Sequence, residues 1–156
     1  MYSEQFDINR PLNDNPDHAS DILAINDLWR TITFGKEPID TGVAPDPEQL
    51  QFFMNDFDHF VIRNNTSRII AAIGILESRG GLAKIDSLAV APEYRRQGHA
   101  RTLATSAINH CIDQGKTEII THALPASQPL FQSLGFEEFE INTQGAATMF
   151  LDLSDR

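Results

Sequence analysis

The residues best suited to chemistry lie close together in the middle of the chain. They are Asp86, the pair Arg95 and Arg96, and Gly98, inside the run Leu88-Ala-Val-Ala-Pro-Glu-Tyr-Arg-Arg-Gln-Gly98-His-Ala100. Gly98 lets the backbone approach a ligand closely. The residues after it carry a helical apolar stripe, so the N–H groups from about Gln97 to Arg101 open a helix and point outward at an anion. Arg95 and Arg96 add fixed charge with a fork geometry that suits phosphate. Two cations at the positive end of a helix oppose its dipole. A bound anion such as a pyrophosphate resolves that conflict. The alternative on these residues alone is a surface turn with both arginines solvated.

The strand before this turn, Leu82 to Ala91, has a parity fault. Leu88 and Val90 share one face, whereas Ile85 falls on the other parity. One extra residue near Asp86-Ser87-Leu88 reconciles them, which predicts a β-bulge, a device that gathers beside active sites. Strands that splay there leave backbone donors and acceptors for an extended, amide-bearing ligand. Asp86 is then a carboxylate placed where it could act as a general base. The bland alternative is an ordinary exposed strand residue. Glu77 is a weaker candidate at a strand end. His122 ends a later strand and could orient an acceptor or shuttle a proton.

These residues need a scaffold. The chain has 156 residues, which predicts one domain spanning 1–156 with its own core. A first strand is expected over 6–12 and a helix over 19–32, with Ile22, Ile25, Leu28, Trp29 and Ile32 at helical spacing. A Gly- and Pro-rich loop follows at 34–45, and Asp46-Pro-Glu48 starts a second helix. Strands are expected over 59–63 and 69–76, joined by the turn Asn64-Asn-Thr-Ser67, and then over 82–91. A long helix runs from about Gly98 to Gln114, with Gly115 as its stop. A strand at 117–122, a short helix at 126–134 and strands at 136–141 and 147–153 complete the order. The expected fold is a mixed α/β sandwich around one sheet of about six or seven strands flanked by about four helices.

The net charge is −10, which repels nucleic-acid backbones and favours cationic partners. No apolar run reaches the ~20 residues of a membrane helix, and the N-terminus lacks the pattern of a signal peptide. The single cysteine, Cys111, falls on the apolar stripe of the long helix and reads as core. With no disulfide framework, a cytoplasmic location is expected. The histidines have no metal-ligand spacing, so no metal site is expected.

The stretch Ser87 to Leu103 resembles the acetyl-CoA signature of the GNAT N-acetyltransferase superfamily, whose core is Arg or Gln, two residues, Gly, one residue, then Gly or Ala. Arg95, Gly98 and Ala100 satisfy it. Leu130-Phe-Gln-Ser-Leu-Gly-Phe136 resembles the second family signature, and the order of elements matches over most of the chain. The resemblance implies an N-acetyltransferase that uses acetyl-CoA as cosubstrate, with direct attack of a primary amine and no covalent enzyme intermediate. It implies that Leu88, Ala89 and Val90 meet the pantetheine arm. It implies that Arg95, Arg96, Gln97, Gly98, His99, Ala100 and Arg101 hold the pyrophosphate, and that the thioester enters where the fourth and fifth strands splay. The acceptor it implies is a small amine or a peptide, and the 34–45 loop is expected to act as the specificity element. Homodimers are common in the family.

One departure matters. Where the family often places a Tyr as general acid for the departing thiolate, this chain has Phe131, which the resemblance places among the cofactor-binding residues. Loss of a general acid costs about 10²–10⁴-fold. Ser127, four residues earlier and on the same face if the helix reaches it, is a replacement candidate, although a Ser there also suits a helix N-cap. Water could serve instead. A non-catalytic acyl-CoA-binding module is the contrasting reading.

Overall fold

The computed structural model describes residues 5–6, 24–25, 28, 57–77, 80–143 and 145–154. The second helix expected from Asp46, the 34–45 loop and Trp29 lie outside them. So does most of the first helix, whose residues Ala24, Ile25 and Leu28 are helical. Among the described residues the strands are β1 (Gln5–Phe6), β2 (Phe57–Arg63), β3 (Ile69–Glu77), β4 (Leu82–Val90), β5 (Glu118–Ala123), β6 (Glu137–Ile141) and β7 (Ala147–Asp152). Two helices are bounded, α1 (His99–Asp113) and α2 (Gln128–Ser133), and a 3₁₀ turn spans Pro92–Tyr94.

The strands form one sheet in the order β1-β2-β3-β4-β5-β7-β6. All neighbours are antiparallel except β4 and β5, which α1 connects in parallel. Parallel neighbours require such a crossover. The β2–β3 connection is a turn because Asn64 satisfies the backbone that reverses there. Its Oδ1 accepts the N–H groups of Thr66 at 3.0 Å and Arg68 at 3.1 Å, and Ser67 takes the left-handed conformation, φ 66°.

Both faces of the sheet are covered. On one face α1 presents Leu103, Ala104, Ala107, Ile108 and Cys111 to a core that includes Phe60, Ile62, Ile73, Ile75 and Ile85. Each large aliphatic side chain buried there contributes about 1.5–3 kcal/mol. On the other face Ile25 packs with Val61, Ile69 and Ala72. Every residue of β3 from Ile69 to Ile75 is therefore buried, a continuous run rather than an alternation. Gly115 ends α1 with φ 76°, while Lys116 N donates to Cys111 O at 2.9 Å. That is the αL stop expected of a glycine just past the last turn.

Candidate active site

The fourth strand carries the irregularity expected of it. Ala72 pairs with Ala89 and Gly74 with Asp86, so Ile73 faces both Ser87 and Leu88. The extra residue on β4 is a bulge, and it bends the strand where it leaves its other neighbour. The parallel ladder to β5 covers only Leu82–Ile85 opposite Glu118–Thr121. Thr121 closes it, donating its hydroxyl to Ile85 O at 3.0 Å in a buried setting. Beyond this rung β4 continues to Val90 beside β3 alone, while β5 continues beside β7. Ala91 N donates to Ile70 O at 2.8 Å. Strand alternation therefore turns the polar groups of Val90 away from β3, and Arg95 Nε reaches Val90 O at 3.3 Å.

The turn into α1 adopts two left-handed residues, Arg96 (φ 62°) and Gly98 (φ 85°). A Cβ at Gly98 would meet nothing within 4 Å, so the space before it is open. The first helical hydrogen bond runs from Thr102 N to Gly98 O at 3.0 Å. The N–H groups at the start of α1, before Thr102, thus take no part in its ladder. Left-handed residues in a turn let successive backbone N–H groups gather into an anion-accepting concavity.

A cavity of about 290 Å³ opens at this turn. Val90, Tyr94, Arg95, Arg96, Gly98, His99, Ala100 and Arg101 line one side, and Ala126, Ser127 and Leu130 line the other. Seven of these side-by-side residues are positions named from the sequence: Val90, Arg95, Arg96, Gly98, His99, Ala100 and Arg101. Ser127 joins them from the start of α2. It occupies the N-cap position but makes no side-chain capping bond. Leu88, Ala89 and Gln97 stand next to the cavity in sequence and are not in its lining.

Asp86 is the first residue past the last β4–β5 rung. Its Oδ2 lies 3.7 Å from Lys84 Nζ, with both side chains about a third exposed. Phe131 is elsewhere. Its ring is 2% exposed, belongs to the main core and meets Phe136 edge-on with centroids 5.1 Å apart. It has no share in the cavity wall. His122 is exposed, with Nδ1 3.1 Å from Thr148 Oγ1.

Three residues that sequence reasoning passed over help shape the site. Thr121 ends the ladder. Gln128 Nε2 donates to Ala123 O at 3.0 Å and to Gly145 O at 2.7 Å, which ties the start of α2 to the end of β5. Tyr94 lines the cavity from a buried position. Its place inside the turn motif was the only signal for it. Among the described residues no group of three or more His, Cys, Asp or Glu could hold a metal, and no helix is long and apolar enough to cross a membrane.

Both the sequence and the fold can be compared with known proteins. The family model for the acetyltransferase (GNAT) domain matches residues 33–153. The chain belongs to the GNAT acetyltransferase family. No curated protein sequence matches it significantly. Solved structures do. A GNAT-family acetyltransferase from Staphylococcus aureus is 14% identical, with 99% of this chain and 100% of that one covered and a TM-score of 0.72. A Salmonella typhimurium protein solved with its cofactor acetyl-CoA is 16% identical, with 100% and 96% covered and a TM-score of 0.72. A chimeric spermidine N-acetyltransferase from Vibrio cholerae is 19% identical, with 88% and 92% covered and a TM-score of 0.63. At these identities the likeness is one of fold. The seven-stranded sheet of this GNAT chain, its bulge and its open strand pair match the architecture expected from the sequence.

Proposed function

We propose that this GNAT domain transfers an acetyl group from acetyl-CoA to a primary amine by direct attack. The observation that carries the reading is the cavity at the Arg95–Arg101 turn, which adjoins the end of the open β4–β5 pair. Phosphate oxygens of the donor would accept from the N–H groups that precede Thr102, with Arg95 and Arg96 adding charge. The pantetheine amides would pair with the polar groups that Val90 turns away from β3, and Leu88 would extend that edge.

In the reaction the neutral amine forms an N–C bond to the thioester carbonyl, the C–S bond breaks and CoA thiolate leaves. Asp86 takes a proton from the ammonium, directly or through water, so that the attacking form exists at neutral pH. Phe131 carries no proton to give and lies in the core. The proton that the attacking nitrogen sheds on forming the amide passes to the thiolate through Ser127, whose hydroxyl does not cap α2, or through solvent. A CoA thiolate is a fair leaving group, so this step needs little help.

The buried, apolar Phe131 also favours a second reading, a module that binds acyl-CoA without turnover. Release of free CoA thiol, corrected for hydrolysis, against a panel of small amines and peptides separates the two. Amine-dependent release supports the transferase. Tight acetyl-CoA binding with no release for any amine supports the binder. No acetyl-CoA binding at all overturns both. A cytoplasmic location and a homodimer complete the reading.

A further inference from the structure

Tyr94 stands two residues before the strained position Arg96. Its ring is buried in the main core and lines the cavity. A buried phenol needs a partner for its hydroxyl. Asn64 supplies one, with Nδ2 donating to Tyr94 Oη at 3.0 Å in a buried setting. The amide orientation is dictated by its other contacts. Oδ1 accepts two backbone N–H groups, from Thr66 and Arg68, and the Thr66 hydroxyl at 2.8 Å. Only the amino group is left to face Tyr94.

Two further ties join the same hairpin to the same turn. Ile70 O accepts Ala91 N at 2.8 Å. Arg68 Nη1 lies 3.0 Å from Glu93 Oε1, an exposed pair of small energetic weight. The β2–β3 hairpin therefore grips the segment 91–94 at three points. The grip has a purpose in physical terms. A non-glycine residue at φ 62°, as Arg96 is, costs energy and persists only where its surroundings hold it. If Arg96 relaxed to negative φ, the N–H groups that follow would swing away from the cavity.

We infer that the Asn64–Tyr94 hydrogen bond is a positioning device, which braces the pyrophosphate turn in its anion-accepting shape before the acyl donor arrives. This rests on the acetyl-CoA reading of the cavity. Asn64 lies in the β2–β3 turn, and among the described residues it reaches the cavity lining through Tyr94.

The test uses the full chain and four variants: Tyr94→Phe, Asn64→Leu, the double variant and Asn64→Asp. Tyr94→Phe removes one oxygen and keeps the ring, so it should fold even if Asn64→Leu does not. In Asn64→Asp one carboxylate oxygen keeps the two backbone N–H groups and the other accepts the Tyr94 O–H. Tyr94→Phe and Asn64→Leu should each weaken acetyl-CoA binding by about tenfold, the scale of one buried hydrogen bond. The double variant should be no weaker than the poorer single one, and Asn64→Asp should restore most of the affinity. The loss should fall on KM for acetyl-CoA and not on KM for the amine. Amide exchange at 96–98 in the ligand-free protein should quicken in Tyr94→Phe. Unchanged acetyl-CoA affinity in Tyr94→Phe, or no rescue by Asn64→Asp, overturns the brace alone. Wild-type protein that binds no acetyl-CoA overturns the acyl-donor reading, and this inference with it.

Discussion

Thr121 Oγ1 donates to Ile85 O at 3.0 Å, and this buried bond coincides with the last paired residues of the β4–β5 ladder. A side chain thus satisfies a carbonyl at the point where the backbone ladder stops. The strand pair can open there without leaving that acceptor bare. Thr121→Val keeps the shape and removes the donor. It should cost about 1–3 kcal/mol of unfolding free energy, because Ile85 O is left unpaired in the interior. Urea denaturation measures this. An unchanged midpoint would mean that the bond does not secure the opening.

Gly98 combines φ 85° with open space in front of its Cα. Gly98→Ala meets no clash yet must adopt a left-handed backbone, at a cost of about 1–2 kcal/mol. Gly98→Glu adds a negative charge where the phosphates are proposed to sit. Calorimetric titration should show acetyl-CoA affinity falling modestly in Gly98→Ala and by more than tenfold in Gly98→Glu, on electrostatic grounds. Equal, wild-type affinity in both variants would remove the turn from the binding site.

Asp86 begins the part of β4 that has no partner on the β5 side. If it takes the amine's proton, Asp86→Asn should lower turnover by about 10²-fold, near the smaller end of general-base effects. The deficit should be largest at lower pH, where more of the amine is protonated. Acetyl-CoA affinity should hold. A pH–rate profile that superimposes on wild type would remove Asp86 from the mechanism.

His59 is fully buried opposite Gly74, and desolvation lowers its imidazole from 6.5 to about 4. The folded chain keeps it neutral, whereas the unfolded chain binds a proton near pH 6.5. As pH falls through that value, protons bind the unfolded state first and stability drops. The decline runs from about pH 6.5 to about pH 4, is absent above that window, and amounts to roughly 3 kcal/mol in total. His59→Gln should flatten this part of the stability curve, as read from urea midpoints between pH 7 and pH 4.5. An equally steep curve in the variant would assign the acid sensitivity to other groups.

Much of this architecture was legible because it rests on local rules. The parity of Ile85 against Leu88 and Val90 located the bulge, since a strand alternates with period two and an inserted residue must appear as a phase slip. Gly98 and Gly115 marked the ends of α1 within a residue, because positive φ is cheap only there. The strand run from β2 to β7 followed from β-branched residues between turn clusters. The candidate site was legible where backbone makes it. Val90, Arg95, Arg96, Gly98, His99, Ala100 and Arg101 come together because all lie within the one stretch 90–101 that runs from the end of β4 through the turn into α1.

What only the tertiary structure decided depends on partners distant in sequence. Ser127 precedes the helix that carries Phe131, and Phe131 turns to Phe136 in the core while Ser127 lines the cavity. Helical spacing alone put them on one face, but α2 has only six residues and packing sets which way each side chain goes. Asn64 and Tyr94 are 30 positions apart, and Thr121 and Ile85 are 36 apart. No periodicity in a single chain encodes such pairs. They arise when the hairpin and the parallel crossover close against each other, and buried polar groups then find the partners that water no longer provides.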